Sequence, residues 1–246
     1  MIFKPLPGQS CSEVLEAADE DRHVGRYAES LQKFEWFFEH SRNKIGMGGV
    51  RLSFALAYWL ELATEYQPAM TALISLRDRT ASRCQTTCGD FKAFHELSAL
   101  NRYLNASEQT IAVFLDIAKR NKNAATIIYH VAEPYLVENG LYLECGPFLQ
   151  FERTIETCIS ALKIGKEHEE TFAELDHSPP PLAEKMFREK MTRLVALLAL
   201  NDRAADAEMT INRSIVELES DEFRLELQAA LNGHLPVKRC RTNQSG

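Results

Sequence analysis

The chain has no apolar run near the roughly 20 residues that a membrane-spanning helix needs. It also lacks alternating apolar–polar runs long enough for half-buried strands, and the strand–helix–strand rhythm of a parallel sheet. No Gly-x-Ser-x-Gly turn offers a nucleophile, and the run from Gly46 to Gly49 lacks the Lys-Ser/Thr end of a phosphate loop. The opening MIFKPLPGQS carries one Lys with no apolar segment behind it, so a secretory leader is not expected. Six cysteines are scattered through helical pattern in a chain too large to need staples, which points to reduced thiols and a cytoplasmic location. Positive charge is outnumbered, with 28 Lys and Arg against 35 Asp and Glu. The net charge is −7, and the end after Pro236 holds Lys238, Arg239 and Arg241 with no acid, leaving the body near −10. An anionic body repels phosphate backbones and anionic headgroups, so neither nucleic acid nor a membrane is the expected partner.

What remains is helix. Apolar residues make up 45% and charged residues 26% of 246, a balance that folds rather than staying disordered. Ile111, Phe114, Leu115 and Ala118 follow helical spacing, as do Phe187, Met191, Leu194, Val195 and Leu198, and Phe148, Phe151, Ile155, Ile159 and Leu162. Gly46, Gly48 and Gly49, a polar loop over 80–89, Asn121 and Asn123, Asn139-Gly140 and Ser178-Pro179-Pro180-Pro181 punctuate these stripes. The expected helices are 12–23, 26–41, 50–65, 67–80, 90–104, 107–120, 123–138, 142–165, 182–200, 203–219 and 221–232, with a kink or restart at Pro134.

A longer period underlies them. Phe34, Leu73, Phe114, Ile155 and Ile211 align at intervals of 39, 41, 41 and 56, the last interval holding an insertion over 166–181. Four residues before each stand Ser30, Ala69, Thr110, Phe151 and Ala207. A small residue one turn before a large one lets a paired helix approach closely while the large one fills the groove. The fold expected is all-α: about five αα-hairpins with a C-terminal capping helix, one domain over 1–236, then a flexible basic tail over 237–246.

Gly25-Arg26-Tyr27-Ala28-Glu29-Ser30, with Leu31 and Phe34, resembles the second helix of a tetratricopeptide repeat (TPR), which places a Gly, a small residue five positions on and an aromatic four later. Pro68-Ala69-Met70-Thr71-Ala72-Leu73 is similar, and residues 49–79 resemble bacterial proteins with such repeats. The likeness covers about residues 12–80. The period near 40 departs from the family's 34, and its Trp–Leu–Gly signature and closing Pro are absent. The resemblance implies a TPR-like right-handed solenoid that binds a peptide or partner protein on a concave groove.

The segment 50–65 is apolar almost all round, yet Arg51, Tyr58 and Glu65 fall on one stripe with Ser53, Glu61 and Thr64 beside it. Such a polar line serves either as a groove wall, with Arg51 clamping a carboxylate, or as an internal network pairing Arg51 with an acid such as Asp78. His95, Asn101, Arg102, Tyr103, Tyr129, His130 and Glu133 are the further candidates. The binding set expected is Arg51, Tyr58, Glu61, Glu65, Asn101, Arg102, Tyr129 and His130.

Cys84, Cys88 and His95 make an incomplete zinc set. Glu20/His23 and Glu174/His177 have the Glu-x-x-His spacing of di-iron bundles, but the first pair falls at a hairpin turn and the second abuts Ser178-Pro179, not on the helix faces such a site needs. No metal or other cofactor is therefore expected. The acidic stretches 167–176 and 217–226 read as solvated faces or as a surface for a basic partner. The function expected is a non-catalytic protein- or peptide-binding scaffold. The alternative is an enzyme with a non-motif, metal-dependent site in the groove. Oligomeric state is open, since Phe223, Leu227 and Leu231 either cap the stack or pair with a copy.

Overall fold

The computed structural model describes residues 3–173 and 182–235, and every regular element among them is helical. The tail 237–246 and the Glu174/His177 pair lie outside the described residues. The chain divides into two compact units, 1–135 and 136–246.

In the first unit, α1 (Cys11–His23) pairs with α2 (Tyr27–His40); α3 (Met47–Leu52) leads into α4 (Phe54–Glu65), which pairs with α5 (Gln67–Thr86); and α6 (Phe91–Tyr103) pairs with α7 (Ser107–Arg120). Each hairpin also packs on the next, through α2 with α4, α4 with α6 and α5 with α7. The helix α8 (Lys122–Glu138) follows. In the second unit, α9 (Tyr142–Cys145) and a 3-10 turn (Gly146–Phe148) precede α10 (Phe151–Ala173), α11 (Leu182–Leu200), α12 (Ala204–Glu217) and α13 (Asp221–Leu231). There α11 is central, touching α9, α10, α12 and α13.

Local chemistry starts and stops these helices. Ser10 and Glu13 form a reciprocal capping box at α1, and Asp90 and Ser220 cap α6 and α13. Five helices end in one and the same corner. Gly25, Asn105, Gly140, Asp202 and Gly233 take a left-handed φ of 52–82°. The next residue's N–H then bonds the carbonyl five back: Arg26 to Asp21, Ala106 to Asn101, Leu141 to Leu136, Arg203 to Leu198, His234 to Ala229. The left-handed residue's own N–H bonds the carbonyl three back, and the two hydrogen bonds together satisfy carbonyls that the helix end leaves open. At four of these corners a new helix begins two residues after the left-handed residue. The residue five after it, Ser30, Thr110, Cys145 or Ala207, is then fully buried.

The small-then-large pattern thus has a structural basis, with one shift in register. Ser30, Ala69, Thr110 and Ala207 are all buried, as are Phe34, Leu73, Phe114 and Ile155. Ile211 is only partly buried, because α12 turns Ala207, Thr210 and Ser214 inward instead. In the first unit the small Ala69 lets Trp59 approach closely enough for its indole N–H to donate to the Ala69 carbonyl at 3.2 Å. Phe34 and Phe38 close around the same indole at 6.1 and 6.0 Å between ring centroids.

Several boundaries differ from expectation for identifiable reasons. The segment 50–65 is two helices broken at Ser53 (φ −128°, ψ −87°). The exposed end is taken up from α6: the Tyr103 hydroxyl donates to the Ser53 carbonyl at 2.9 Å and Arg102 to the Leu52 carbonyl at 3.4 Å. The expected loop over 80–89 is mostly helix. Thr80 and Cys84 continue the buried stripe of Ala69, Leu73 and Leu76, while Ser82, Thr86 and Thr87 bond back to carbonyls of their own helix. The expected helix 142–165 is interrupted at Gly146-Pro147, since proline cannot donate within a helix. By contrast α8 runs on through Pro134 without restarting, anchored on both sides by the buried Ala132 and Leu136.

Candidate functional site

A buried charged cluster in the first unit gathers around Glu96 of α6, with arginines reaching it from α3, from α5 and from just beyond α2. Glu96 of α6 is 2% exposed and is approached by three arginines. Arg42 Nη2 lies 3.2 Å from Oε1; Arg51 Nη2 and Arg83 Nη2 lie 2.9 and 3.1 Å from Oε2. Thr80 Oγ1 is 3.0 Å from Oε1 and 2.9 Å from the Leu76 carbonyl, so its single proton serves two acceptors. Arg51 is the innermost of the three. Its Nε donates to the Phe38 carbonyl at 2.7 Å, and its guanidinium lies 3.6 Å from the centroid of the Phe38 ring. Burial pushes the Arg51 guanidinium below its ordinary range against the opposing pull of Glu96, and the like charges of Arg42 and Arg83 push it further down.

Above this cluster a cavity of about 700 Å³ opens between α2 and α5. The helix α2 contributes Glu35, Trp36, Glu39 and His40; α5 contributes Arg79 and Arg83; Arg42 lies at one end, with Phe38 and Trp59 lining the floor. Trp36 and His40 stack at 4.3 Å, and the edge of Phe3 meets Trp36. Glu35 has an exposed surface, yet the hydration it loses in this concave lining raises its carboxyl above the ordinary range, with Arg79 pulling the other way. Cys84, buried one turn beyond Thr80, has its thiol pushed up to about 12, chiefly by burial.

The residues expected to bind do not share one face. Arg51 is inside, paired with Glu96 and not with Asp78, which bonds Arg77 instead. The break at Ser53 takes Arg51 off the α4 axis, so its seven-residue spacing to Tyr58 no longer marks one stripe. Tyr58 packs half-buried against the core. Glu61 pairs with Arg22 at 2.9 Å, and Glu65 accepts the Tyr27 hydroxyl. Asn101 is fully buried and donates to Thr110 Oγ1 at 2.9 Å. Arg102 caps the Ser53 break and lies over the Tyr103 ring. Tyr129 is buried beside Phe114, and His130 stacks exposed on Phe91, which also carries His95. Lost hydration, together with His130 and Arg102, lowers the His95 imidazole below its ordinary range.

The cavity residues Glu35, Trp36, Arg42, Arg79, Arg83 and the buried Glu96 escape a reading of the sequence. Reading 80–89 as a loop hides the continuous α5 face on which Arg79 and Arg83 stand four apart. Trp36, Glu39 and His40 at helical spacing on α2 are the signal that finds the opposite wall. Among the described residues, no three of His, Cys, Asp and Glu are placed to hold a metal ion, and no helix is long and apolar enough to cross a membrane. No protein-family model, curated protein or solved structure matches the chain.

Proposed function

We propose that the chain is a non-catalytic adaptor of the cytoplasm, an array of αα-hairpins of the tetratricopeptide-like kind, which takes a peptide segment of a partner protein into the groove between α2 and α5. The repeated left-handed corner with a buried small residue five positions on supports the hairpin array. The groove carries the binding reading. Its volume lies within the roughly 300–1,000 Å³ of typical ligand sites. It also combines Trp36, stacked on His40, with arginines, and Trp and Arg are residue types that concentrate binding energy at interfaces. It is formed by the second helices of the first two hairpins, not by the α4 face on which Tyr58 and Glu65 stand.

Selection from a displayed random-peptide library tests this. Selected peptides bind the wild-type chain and lose affinity for Trp36→Ala, while that variant keeps the wild-type melting temperature within a few degrees. A library that yields no binder, or binders indifferent to Trp36→Ala, counts against the groove.

A further inference from the structure

The charge distribution around Glu96 narrows the partner. One carboxylate balances one guanidinium, and Arg51, at 5% side-chain exposure, has the strongest claim on it, because a buried charge without a partner is the costliest arrangement available. Arg42 and Arg83 touch the same carboxylate but keep 38% and 31% of their side-chain surface. Each spends only one terminal nitrogen on Glu96, whereas a guanidinium offers five N–H donors in a planar fork. Arg79 faces Glu35 within the same lining. With Arg51 assigned to Glu96 and Arg79 to Glu35, only Glu39 remains against Arg42 and Arg83. The groove thus carries a surplus of positive charge on a chain of net charge −7.

We propose that this groove recognises an acidic peptide segment of a partner protein, its carboxylates taken by the free edges of Arg42 and Arg83 and its apolar residues by Trp36. The proposal rests on the groove being the peptide site. A carboxylate fits the planar fork two oxygens at a time. It also relieves the repulsion that Arg42 and Arg83 exert on the buried Arg51. Glu35 and Glu39 in the walls disfavour a compact dianion such as a phosphate group, which would bring two charges close to both carboxylates at once. An extended chain can instead distribute its carboxylates towards the arginines.

The test uses the full chain and three labelled dodecapeptides, read by fluorescence anisotropy at low and moderate salt. The first carries Glu at alternate positions with Leu and Phe between; the second has Gln for each Glu; the third has Lys for each Glu. The expected result is binding of the Glu peptide, weakened by added salt, with about tenfold or greater loss for the Gln peptide and none detectable for the Lys peptide. Arg42→Gln and Arg83→Gln should each weaken the Glu peptide about tenfold, on the scale of one lost charge-assisted contact. Arg79→Gln, whose side chain does not touch Glu96, serves as the variant that leaves the buried cluster intact and should weaken it less. Equal binding of the Gln and Glu peptides overturns the acidic preference and leaves the groove reading standing. No binding of any of the three, with library-selected neutral peptides still lost on Trp36→Ala, does the same. Competition by millimolar inorganic phosphate at equal affinity makes this a small-anion site and overturns both readings. Self-association of the chain that Arg42→Gln abolishes assigns the groove to a second copy and overturns the partner segment.

Discussion

Arg51 and Glu96, 45 residues apart in sequence, are buried against each other with Nη2 2.9 Å from Oε2. The contact joins α3 to α6, so it links the second hairpin to the third. Removing one partner of a buried pair leaves the other charged and unhydrated, at a cost of about 3–5 kcal/mol. Glu96→Gln should therefore lower the urea-unfolding free energy of the first unit by that order. Adding Arg51→Met should restore much of the loss, because the remaining arginines are half-exposed and can hydrate. If Glu96→Gln costs less than about 1 kcal/mol, in the range of an exposed pair, the cluster is not what holds α3 to α6.

Asp21 gives a pH dependence of known sign. Burial raises its carboxyl, but the hydrogen bonds and charges of Lys33 and Arg26 outweigh burial and hold it below its ordinary 3.8. A folded-state value below the unfolded one contributes stability that is fully present above the unfolded value and is lost as pH falls through the folded value. Thermal melts of the wild type should lose this contribution below about pH 4. Asp21→Asn should be less stable at pH 7, with the gap between the two proteins closing as the pH falls. A gap that stays constant down to pH 2 removes the carboxylate from the account.

Glu35 should behave oppositely. Its carboxyl is raised, so the proton stabilises the folded state: the contribution is present below the ordinary 4.5 and is lost as pH rises through the folded value. Glu35→Gln is expected to melt at a higher temperature than wild type at pH 7 and to converge with it in acid. If the acidic-segment proposal holds, the same variant binds the Glu peptide more tightly, since it removes a like charge from the groove wall.

Cys84 offers a check on the α5 boundary. Its thiol, buried and pushed up to about 12, holds almost no thiolate at pH 8. Iodoacetamide at pH 8 followed by peptide mass mapping should label the partly exposed Cys88 and Cys11 in the native chain, and Cys84 only after urea is added. Were 80–89 an open loop, Cys84 would react at the rate of Cys88.

Most of the helices can be read in the sequence, because amphipathic spacing and turn residues are local signals. Ser30, Ala69, Thr110 and Ala207 are legible for the same reason: close helix packing demands a small residue at a fixed place in each hairpin. Four features were not. The break at Ser53 depends on Arg102 and Tyr103 accepting its cost from 50 residues away. The helical character of 80–86 is masked by Thr, Ser and Arg, which satisfy helix spacing through Thr80 and Cys84 alone. The groove needs α2 and α5 opposite one another, a juxtaposition that no single stripe encodes. The Gly140-Leu141-Tyr142 and Cys145 stretch repeats the spacing of Gly25-Arg26-Tyr27 and Ser30, a signal hidden by anchoring the fourth hairpin on Ile155.

The repeated corner predicts that its left-handed residues are interchangeable, with effects of opposite sign. Gly25 adopts φ +77° with nothing within 4 Å of a Cβ placed there, so Gly25→Ala meets only the backbone penalty of a left-handed L-residue, about 1–2 kcal/mol. Asp202 holds φ +57° at the equivalent place and is exposed, so it already bears part of that penalty without a compensating contact among the described residues. Asp202→Gly should therefore stabilise the second unit by up to about 1 kcal/mol, the relief of strain being partly offset by the extra freedom glycine gives the unfolded chain. Urea unfolding with circular dichroism reads both. If Asp202→Gly destabilises as Gly25→Ala does, its side chain has a role in the turn that the backbone geometry does not supply, and the two corners are not equivalent. Gly25→Asn should lie between wild type and Gly25→Ala, because asparagine tolerates the left-handed region better than alanine, as Asn105 does at φ 52°.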